Sequence, residues 1–192
     1  MKVERARAVA DAIRNAILLS PKMNALEYGC GTGLLSFALQ SDLGQIMLAD
    51  TSQGMLDVLA EKIAAAGLTN MRPLALDLEN DSPPAEKYSL IYSLMVLHHI
   101  NDTKGILSKF HALLEADGYL LVADLDAEDG SFHTDEFADV HHGFGRAELQ
   151  QMAETAGFGE VRFSTVYEIK KMRNGQERMF PVFLMSARKE SP

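Results

Sequence analysis

Cysteine is almost absent from this chain, and long apolar runs are absent altogether. The single Cys30 excludes an intrachain disulfide and indicates a reducing compartment. The segment from Lys2 to Leu19 mixes charged residues among its apolar ones, unlike a signal peptide. No apolar run approaches the roughly 20 residues that a membrane-spanning helix needs. We therefore expect a cytoplasmic protein that has no membrane partner.

Positive charge is also scarce. The 18 lysines and arginines are outnumbered by 27 aspartates and glutamates, which leaves a net charge of −9. No basic cluster interrupts this background, and a chain of such charge repels phosphate backbones, so we expect no nucleic-acid partner. The length of 192 residues and the hydrophobic content of 47% are typical of one globular domain, so residues 1–192 are predicted to form a single domain.

Apolar runs alternate with segments of helical periodicity along most of the chain. Strands are predicted at 24–28, 45–49, 71–76, 88–94 and 119–123, and helices at 3–19, 34–40, 53–66 and 103–115. This alternation indicates a doubly wound α/β sheet. A further helix at 146–156 precedes two runs, 161–169 and 178–187, and the Asn174-Gly175 dipeptide between them predicts a closing hairpin.

A glycine-rich loop joins the first predicted strand to the next helix. Gly29, Gly31 and Gly33 let the backbone turn tightly and approach a ligand, while the helix that follows presents unpaired N–H groups. The loop therefore suits a nucleotide or carboxylate ligand. In other proteins a loop of this kind only packs a helix on a strand. The residues at the neighbouring strand ends are therefore needed to distinguish a ligand site from a packing role.

Acidic residues follow the next two predicted strands, at the edge where α/β sheets bind ligands. Asp50 is placed to accept hydrogen bonds from the ribose hydroxyls of an adenosine. Its alternative role is to cap the following helix, which Asp50, Thr51 and Ser52 all precede. Asp77 is placed to meet an adenine amino group while Leu78 covers the ring, and a solvated loop aspartate is the alternative there.

At these residues the sequence resembles the class I S-adenosylmethionine-dependent methyltransferases, and more closely their small-molecule subgroup. The first motif of that subgroup is similar to E-x-G-C-G-T-G, which stands here as Glu27-Tyr28-Gly29-Cys30-Gly31-Thr32-Gly33, and the resemblance extends from Leu26 to about Ala187. It implies a Rossmann-like, mostly parallel sheet of seven strands with an antiparallel C-terminal hairpin strand and helices on both faces. It also implies S-adenosylmethionine as cofactor and a small-molecule acceptor.

The resemblance further implies which residues bind the cofactor. They lie around the methionine end, the ribose, the adenine and the methyl group of the cofactor. The set comprises Glu27, Gly29, Cys30, Gly31, Gly33, Asp50, Thr51, Met55, Asp77, Leu78 and Ser93.

Two features depart from the related sequences. Many relatives have an aspartate near the start of strand four, in a pattern like F-D-x-I, where this chain has Ser89; we expect this to loosen a structural tie and not a cofactor contact. Relatives also often carry a further helical segment before the position of Met1 that helps to cover the active site. The chain is therefore expected to be a truncated or more open version.

Histidines follow strand four and recur in the long connection after Asp124. A sulfonium is already an activated methyl donor, so the protein needs a base only when the acceptor must lose a proton. Imidazole titrates near neutral pH and suits this task. His98 and His142 are the predicted catalytic residues, and the predicted substrate-binding residues are His99, His133, His141 and Arg146.

Each of these assignments has an alternative. A histidine can merely bond a backbone carbonyl, and Arg146 can pair with an acidic residue of the loop. The histidines, with Asp135, Glu136 and Asp139, could instead hold a divalent metal, but no spacing matches a ligand motif, so no metal site is predicted.

Two other functions compete with methyl transfer. A nicotinamide-dependent oxidoreductase would need the pattern G-x-G-x-x-G, and position 34 is leucine. A non-catalytic module that only binds S-adenosylmethionine would show a damaged glycine loop or an acceptor pocket without polar groups, and the sequence has neither sign.

Overall fold

The computed structural model describes residues 1–133, 140–173 and 175–190. Within these ranges no helix is long and apolar enough to cross a membrane. The elements, in chain order, are α1 (Lys2–Ala16), β1 (Ala25–Tyr28), α2 (Leu34–Leu39), β2 (Ile46–Asp50), α3 (Gln53–Ala65), β3 (Met71–Ala75), β4 (Tyr88–Leu94), a single 3-10 turn (Leu97–His99), α4 (Thr103–Leu113), β5 (Leu114–Leu125), α5 (Arg146–Thr155), β6 (Phe158–Arg173) and β7 (Gln176–Lys189).

The seven strands form one sheet in the order β3-β2-β1-β4-β5-β7-β6. Strands β1 to β5 pair in parallel, and β7 runs antiparallel to both β5 and β6. The predicted Rossmann-like sheet with its antiparallel C-terminal hairpin is thereby confirmed. Since the chain leaves β1 toward β2 on one side and later returns to its other side as β4, the topological switch point lies between β1 and β4.

Helices cover both faces of the sheet, and β1 shows how the sequence supplies both cores. All four of its side chains are buried. Ala25 belongs to the core beneath α1, α2 and α3, whereas Leu26 belongs to the core beneath α4 and α5. Successive side chains of a strand point to opposite faces, so a continuous apolar run is what a strand buried on both faces requires.

Most element boundaries differ from the predicted ones by a few residues, and the hairpin differs most. Its strands pair from Phe158 opposite Lys189 to Arg173 opposite Gln176, beyond both predicted runs, because the outer residues are polar and give no apolar signal. Gly175 has a φ of +77°, as the predicted turn requires, and Asn174 lies outside the described residues.

The start of β5 also differs from its predicted position. The helix predicted for 103–115 ends at Leu113, because Leu114 already pairs with Tyr88 of β4. The strand then continues through Asp124 to Leu125, beyond the predicted end at residue 123.

Ser89, which replaces the aspartate of many relatives, still makes a structural tie. Its Oγ accepts a hydrogen bond from the Asn24 backbone N–H at 3.0 Å and lies 3.1 Å from the Asn24 carbonyl oxygen, to which it donates. A hydroxyl can do both because it is donor and acceptor at once. The tie therefore joins β4 to the residue that precedes β1.

The glycine loop is pressed against the connection that follows β4. Gly29 has a φ of +70°, and a Cβ placed on it would lie 2.3 Å from Val96 Cγ2. At Gly33, where φ is +77°, a Cβ would lie 2.6 Å from Leu59 Cδ1. A side chain at either position would strain the backbone and would require its neighbour to shift, so the two glycines allow the loop to lie close to α3 and to the connection after β4.

Gly29 and Gly31 offer a matched pair of substitutions. Both have positive φ, but a Cβ on Gly31 meets nothing within 4 Å. We expect Gly31→Ala to lower the free energy of unfolding by about 1 kcal/mol through backbone strain. Gly29→Ala should cost about 2 kcal/mol more because it adds overpacking against Val96. Urea denaturation measures both values; equal losses, or no partial rescue of Gly29→Ala by Val96→Ala, would contradict the contact.

Candidate active site

Three cavities adjoin one another beyond the carboxyl ends of the parallel strands. We call them the strand-end cavity, of about 640 Å³, the glycine-loop cavity, of about 280 Å³, and the histidine cavity, of about 320 Å³. Their defining residues are Asp50, Met55 and Asp77 for the first, Glu27, Cys30 and Gly31 for the second, and His98, His99 and His133 for the third. They lie where open α/β sheets bind their ligands.

Met95 lines all three cavities and marks the place where they meet. It follows β4 and has a φ of 60°, in the left-handed region that non-glycine residues seldom adopt. Its N–H donates to the Ala123 carbonyl oxygen of β5 at 2.8 Å, which holds the backbone in this conformation. The strain is therefore located at the junction of the cavities, as is common at functional sites.

Asp50 supports the glycine loop from the end of β2. Its Oδ2 accepts from the Gly31 N–H at 2.7 Å, and its Oδ1 accepts from the Ser52 N–H at 2.9 Å. The N-cap of α3 is Ser52, whose Oγ accepts from the Met55 N–H at 3.4 Å. Asp50 is thus not the helix cap, and its carboxylate lines the strand-end cavity together with Thr51 and Met55.

Asp77 and Leu78 are adjacent but face different surroundings. The Asp77 carboxylate lines the strand-end cavity and accepts from Asn80 Nδ2 at 2.8 Å, and this bond is the main cause that lowers the pKa of Asp77. Leu78 is fully buried in the core beneath α4, and its N–H donates to Tyr28 Oη at 3.2 Å. Asp77 therefore lines the cavity, whereas Leu78 lies in the core and does not line it.

Glu27 is a buried carboxyl group at the inner end of the glycine-loop cavity. It is 2% exposed and accepts hydrogen bonds from the N–H and the hydroxyl of Ser36. The same hydroxyl is 2.5 Å from Tyr92 Oη. Burial raises the pKa of Glu27 to about 7, against the opposing effect of the Ser36 bonds. A cationic group in this cavity would therefore find a partner whose ionisation it favours.

Three other predicted cofactor residues hold structural positions around these cavities. Cys30 is buried in the glycine loop, and burial raises the pKa of its thiol, which keeps it protonated. Gly33 is the N-cap residue of α2. Ser93 is 3% exposed within β4 opposite Val122, and it is the residues after it, Leu94 to Val96, that line the cavities.

His98, His99 and His133 converge in the histidine cavity. The ring centroids of His98 and His99 are 4.1 Å apart, and that of His133 lies 5.3 Å from His98 and 5.6 Å from His99. One nitrogen of each ring lies within 4.8 Å of the others. Burial is the main cause that lowers the pKa values of His99 and His133, and the neighbouring imidazoles lower them further. The neutral forms of His99 and His133 are therefore favoured.

His98 is fixed in this cluster by Asp124, which sequence reasoning had missed. His98 Nδ1 lies 2.6 Å from Asp124 Oδ1, and the two side chains are 1% and 0% exposed. The same carboxylate accepts from the backbone N–H of Leu125 at 2.7 Å. With Nδ1 occupied by a carboxylate, the lone pair of His98 is on Nε2.

The other predicted substrate and catalytic residues lie outside the three cavities as the described residues form them. His141 Nε2 is 2.9 Å from the Ile100 carbonyl oxygen. His142 is exposed beside Gly130. Arg146 donates from Nε and Nη2 to the two oxygens of Asp126, each at 2.6 Å. Asp135, Glu136 and Asp139 lie outside the described residues.

Cationic side chains from α1 and β6 form a wall of the histidine cavity that the sequence interpretation had missed. Arg5 of α1 is half-buried, and its Nε has no hydrogen-bond partner among the described residues. Lys171 of β6 lies 3.4 Å from the centroid of the Phe132 ring, and Lys2 lies on the same wall. Arg5 is four residues before Val9, a buried residue of α1, so helical spacing did hold a signal that it faces inward.

Comparisons with known proteins agree with this geometry. A family model described as a methyltransferase domain matches residues 1–161. An uncharacterized methyltransferase of Schizosaccharomyces pombe is 36% identical over 135 residues, which cover 63% of this chain and 48% of that protein. A ubiquinone biosynthesis O-methyltransferase of Rhodopseudomonas palustris is 32% identical over 126 residues, which cover 62% of this chain and 47% of that protein.

The chain therefore spans about half the length of the curated relatives it matches. Among solved structures, that of an S-adenosylmethionine-dependent methyltransferase from Aquifex aeolicus has the same fold. It aligns with a TM-score of 0.67 and 18% identity, covering 92% of this chain and 88% of that one.

The buried Glu27 predicts a pH dependence of stability. Its folded pKa of about 7 lies above the ordinary value of 4.5, so the native state holds a proton that the unfolded chain releases. The stabilisation is complete below pH 4.5 and is lost as the pH rises toward 7. Relative to Glu27→Gln, the wild-type free energy of unfolding should fall by about 3 kcal/mol across this range.

Denaturation curves from about pH 5 to about pH 8 measure this difference. Glu61→Gln, which changes an exposed glutamate of α3, is the matched control and should follow the wild type. If the free energies of unfolding of wild type and Glu27→Gln changed with pH in the same way, Glu27 would be ionised over this whole pH range, which would contradict the prediction.

Proposed function

Because the chain belongs to the family of methyltransferase domains, we propose that it methylates a small acidic molecule, on oxygen, within the histidine cavity. The family match confirms the predicted family, enzyme class and cofactor. The observation that carries the choice of acceptor is the junction at Met95. There the cavities suited to S-adenosylmethionine open onto one that contains imidazoles and a cationic wall.

The residues around the first two cavities fit S-adenosylmethionine. Each oxygen of the Asp50 carboxylate accepts one backbone N–H, and a carboxylate has about four acceptor sites, so it retains capacity for both ribose hydroxyls. Glu27 suits the ammonium group of the methionine end. Met55 and Asp77, which line the strand-end cavity, suit the adenine.

A Cβ on Gly31 would meet nothing within 4 Å, so the backbone of the glycine loop is open to a bound molecule at that position. When bound, S-adenosylmethionine supplies an activated methyl group, which a lone pair of the acceptor takes as the bond to sulfur breaks and its electrons remain on sulfur.

The wall of the histidine cavity supports an acidic acceptor. Lys2, Arg5 and Lys171 line one small cavity of a chain whose net charge is −9, so the local charge is opposite to the global one. Arg5 is half-buried and lines this cavity, so its guanidinium can donate to an anionic group of the acceptor. A cavity of about 320 Å³ is within the usual size for small-molecule sites. The name of the Rhodopseudomonas palustris relative supports oxygen as the acceptor atom.

His98 is the proposed proton acceptor. Asp124 holds the proton on Nδ1 and leaves the Nε2 lone pair free to take the hydroxyl proton of the acceptor. The carboxylate also stabilises the imidazolium that forms, as the aspartate does in a Ser-His-Asp triad. His99 and His133, which line the same cavity, are proposed to contact the acceptor.

The setting of this activity is part of the proposal. We infer a single domain that works in the cytoplasm on a small molecule and not on nucleic acid. The single cysteine, the acidic net charge and the small volume of the histidine cavity support this.

The ribose contact predicts a specific loss of affinity. Asp50→Ala should weaken S-adenosylmethionine binding by about tenfold or more, since each lost hydrogen bond contributes roughly 1 kcal/mol. Calorimetric titration with S-adenosylmethionine and S-adenosylhomocysteine measures this, and NADH should give no binding heat. Asp57→Ala removes an exposed carboxylate of α3 that accepts a hydrogen bond from Gln53 Nε2 at 2.8 Å, and the variant should bind S-adenosylmethionine as the wild type does. An unchanged affinity in Asp50→Ala would refute the contact.

His98→Gln tests the proton acceptor and conserves most of the side-chain volume. We expect the cofactor affinity to be unchanged and turnover to fall at least about tenfold. This is a lower limit, because a general base usually contributes about 100-fold or more. Turnover is measured with labelled methyl donor against a set of small acidic metabolites. His111→Gln, at the histidine of α4 that packs on Phe158, is the matched control. Equal turnover in wild type and His98→Gln would exclude His98 as the base.

A further inference from the structure

The three histidines of the histidine cavity share a geometry that proton transfer alone does not require. One base is enough to deprotonate an acceptor, yet three ring nitrogens lie within 4.8 Å of one another. In a tetrahedral zinc site with bonds of about 2.0 Å, the ligand nitrogens are roughly 3.3 Å apart. Small rotations about the side-chain bonds of His99, which is exposed, and His133, which is half-buried, can close this difference.

Two of the three imidazoles are prepared as ligands by their surroundings. His98 donates Nδ1–H to Asp124, and a metal-ligating histidine commonly donates its second nitrogen to a carboxylate in this way. His133 Nε2 is shielded from solvent and has no hydrogen-bond partner among the described residues. A buried polar atom without a partner is costly, and a bound ion would satisfy it.

We propose that His98, His99 and His133 bind a divalent transition-metal ion of the zinc type. Three neutral nitrogen ligands with one position left open are the ligand set of catalytic zinc sites, as opposed to closed structural ones. Imidazole selects zinc, copper, iron or nickel over magnesium and calcium. The buried carboxylate of Asp124 offsets part of the charge of the ion through the His98 ring.

Because all three histidines line the histidine cavity, the open position of the ion would face the cavity that also contains Lys2, Arg5 and Lys171. An acidic acceptor whose anionic group meets Arg5 can place its hydroxyl oxygen on the ion. The ion lowers the pKa of that hydroxyl, the proton passes to solvent, and the oxygen keeps the electron pair that forms the new bond to carbon. In this state His98 is a ligand and the ion replaces it as the group that activates the acceptor. The inference thus rests on the proposed function for the position of the acceptor.

The binding test uses the full chain without an affinity tag, freed of metal by a chelator and dialysed. Zn²⁺ is titrated by calorimetry and Co²⁺ by its visible absorption, both without S-adenosylmethionine. We expect one ion per chain and the strong absorption of a Co²⁺ site with fewer than six ligands. His99→Ala and His133→Ala should each weaken Zn²⁺ binding by at least about 100-fold, while His111→Gln binds as the wild type does.

Cofactor titrations on the same samples separate this inference from the proposed function. His133→Ala should retain the wild-type affinity for S-adenosylmethionine, which shows that this variant is folded; His99 also lines the strand-end cavity, so circular dichroism checks the folding of His99→Ala instead. Wild-type protein that binds S-adenosylmethionine but no Zn²⁺ would overturn the metal site and leave methyl transfer intact. Zn²⁺ binding that is unchanged in both variants would overturn it as well.

Discussion

The close approach of the glycine loop to the connection after β4 is the constraint on which the site depends. A single Cβ at Gly29 would overlap Val96, so the glycine loop and the connection after β4 can lie this close because that position lacks a side chain. The sheet topology brings these two strand ends together, and the missing side chain lets the connections after them touch. All three cavities include a residue from this contact region, since Met95 directly precedes Val96 and lines each of them.

The fold was predictable from the sequence because its signals are local. Apolar runs, helical periods and the turn at Gly175 each act over a few residues, and together they gave the sheet with its antiparallel hairpin. The strand ends at Asp50 and Asp77 were also predictable, because parallel strands place their carboxyl ends at one edge. The ends of β6 and β7 were not, since their outer pairs are polar and their register depends on pairing across the hairpin.

The histidine cavity was predictable only in part, because its side chains come from distant segments. Adjacent histidines are equivalent in the sequence, and only the fold shows that His98 points inward to Asp124 while His141 bonds the Ile100 carbonyl oxygen. Lys171 joins the same cavity through the register of the hairpin, which no local pattern encodes. The local charge of the cavity depends on which side chains from distant segments meet there. The net charge of −9 therefore gave no indication of the cationic wall.

The division of the site between elements has a consequence for how relatives of this protein can diverge. The residues suited to the cofactor follow β1, β2 and β3, and Lys2 and Arg5 of α1 line their cavities as well as the histidine cavity. Lys171 of β6, the edge strand of the described sheet, lines the histidine cavity but neither of the other two. Mutations in the hairpin therefore alter one part of the site without changing the residues that line the other two cavities. Such a layout allows relatives to keep the same methyl donor during evolution while the acceptor that they recognise changes.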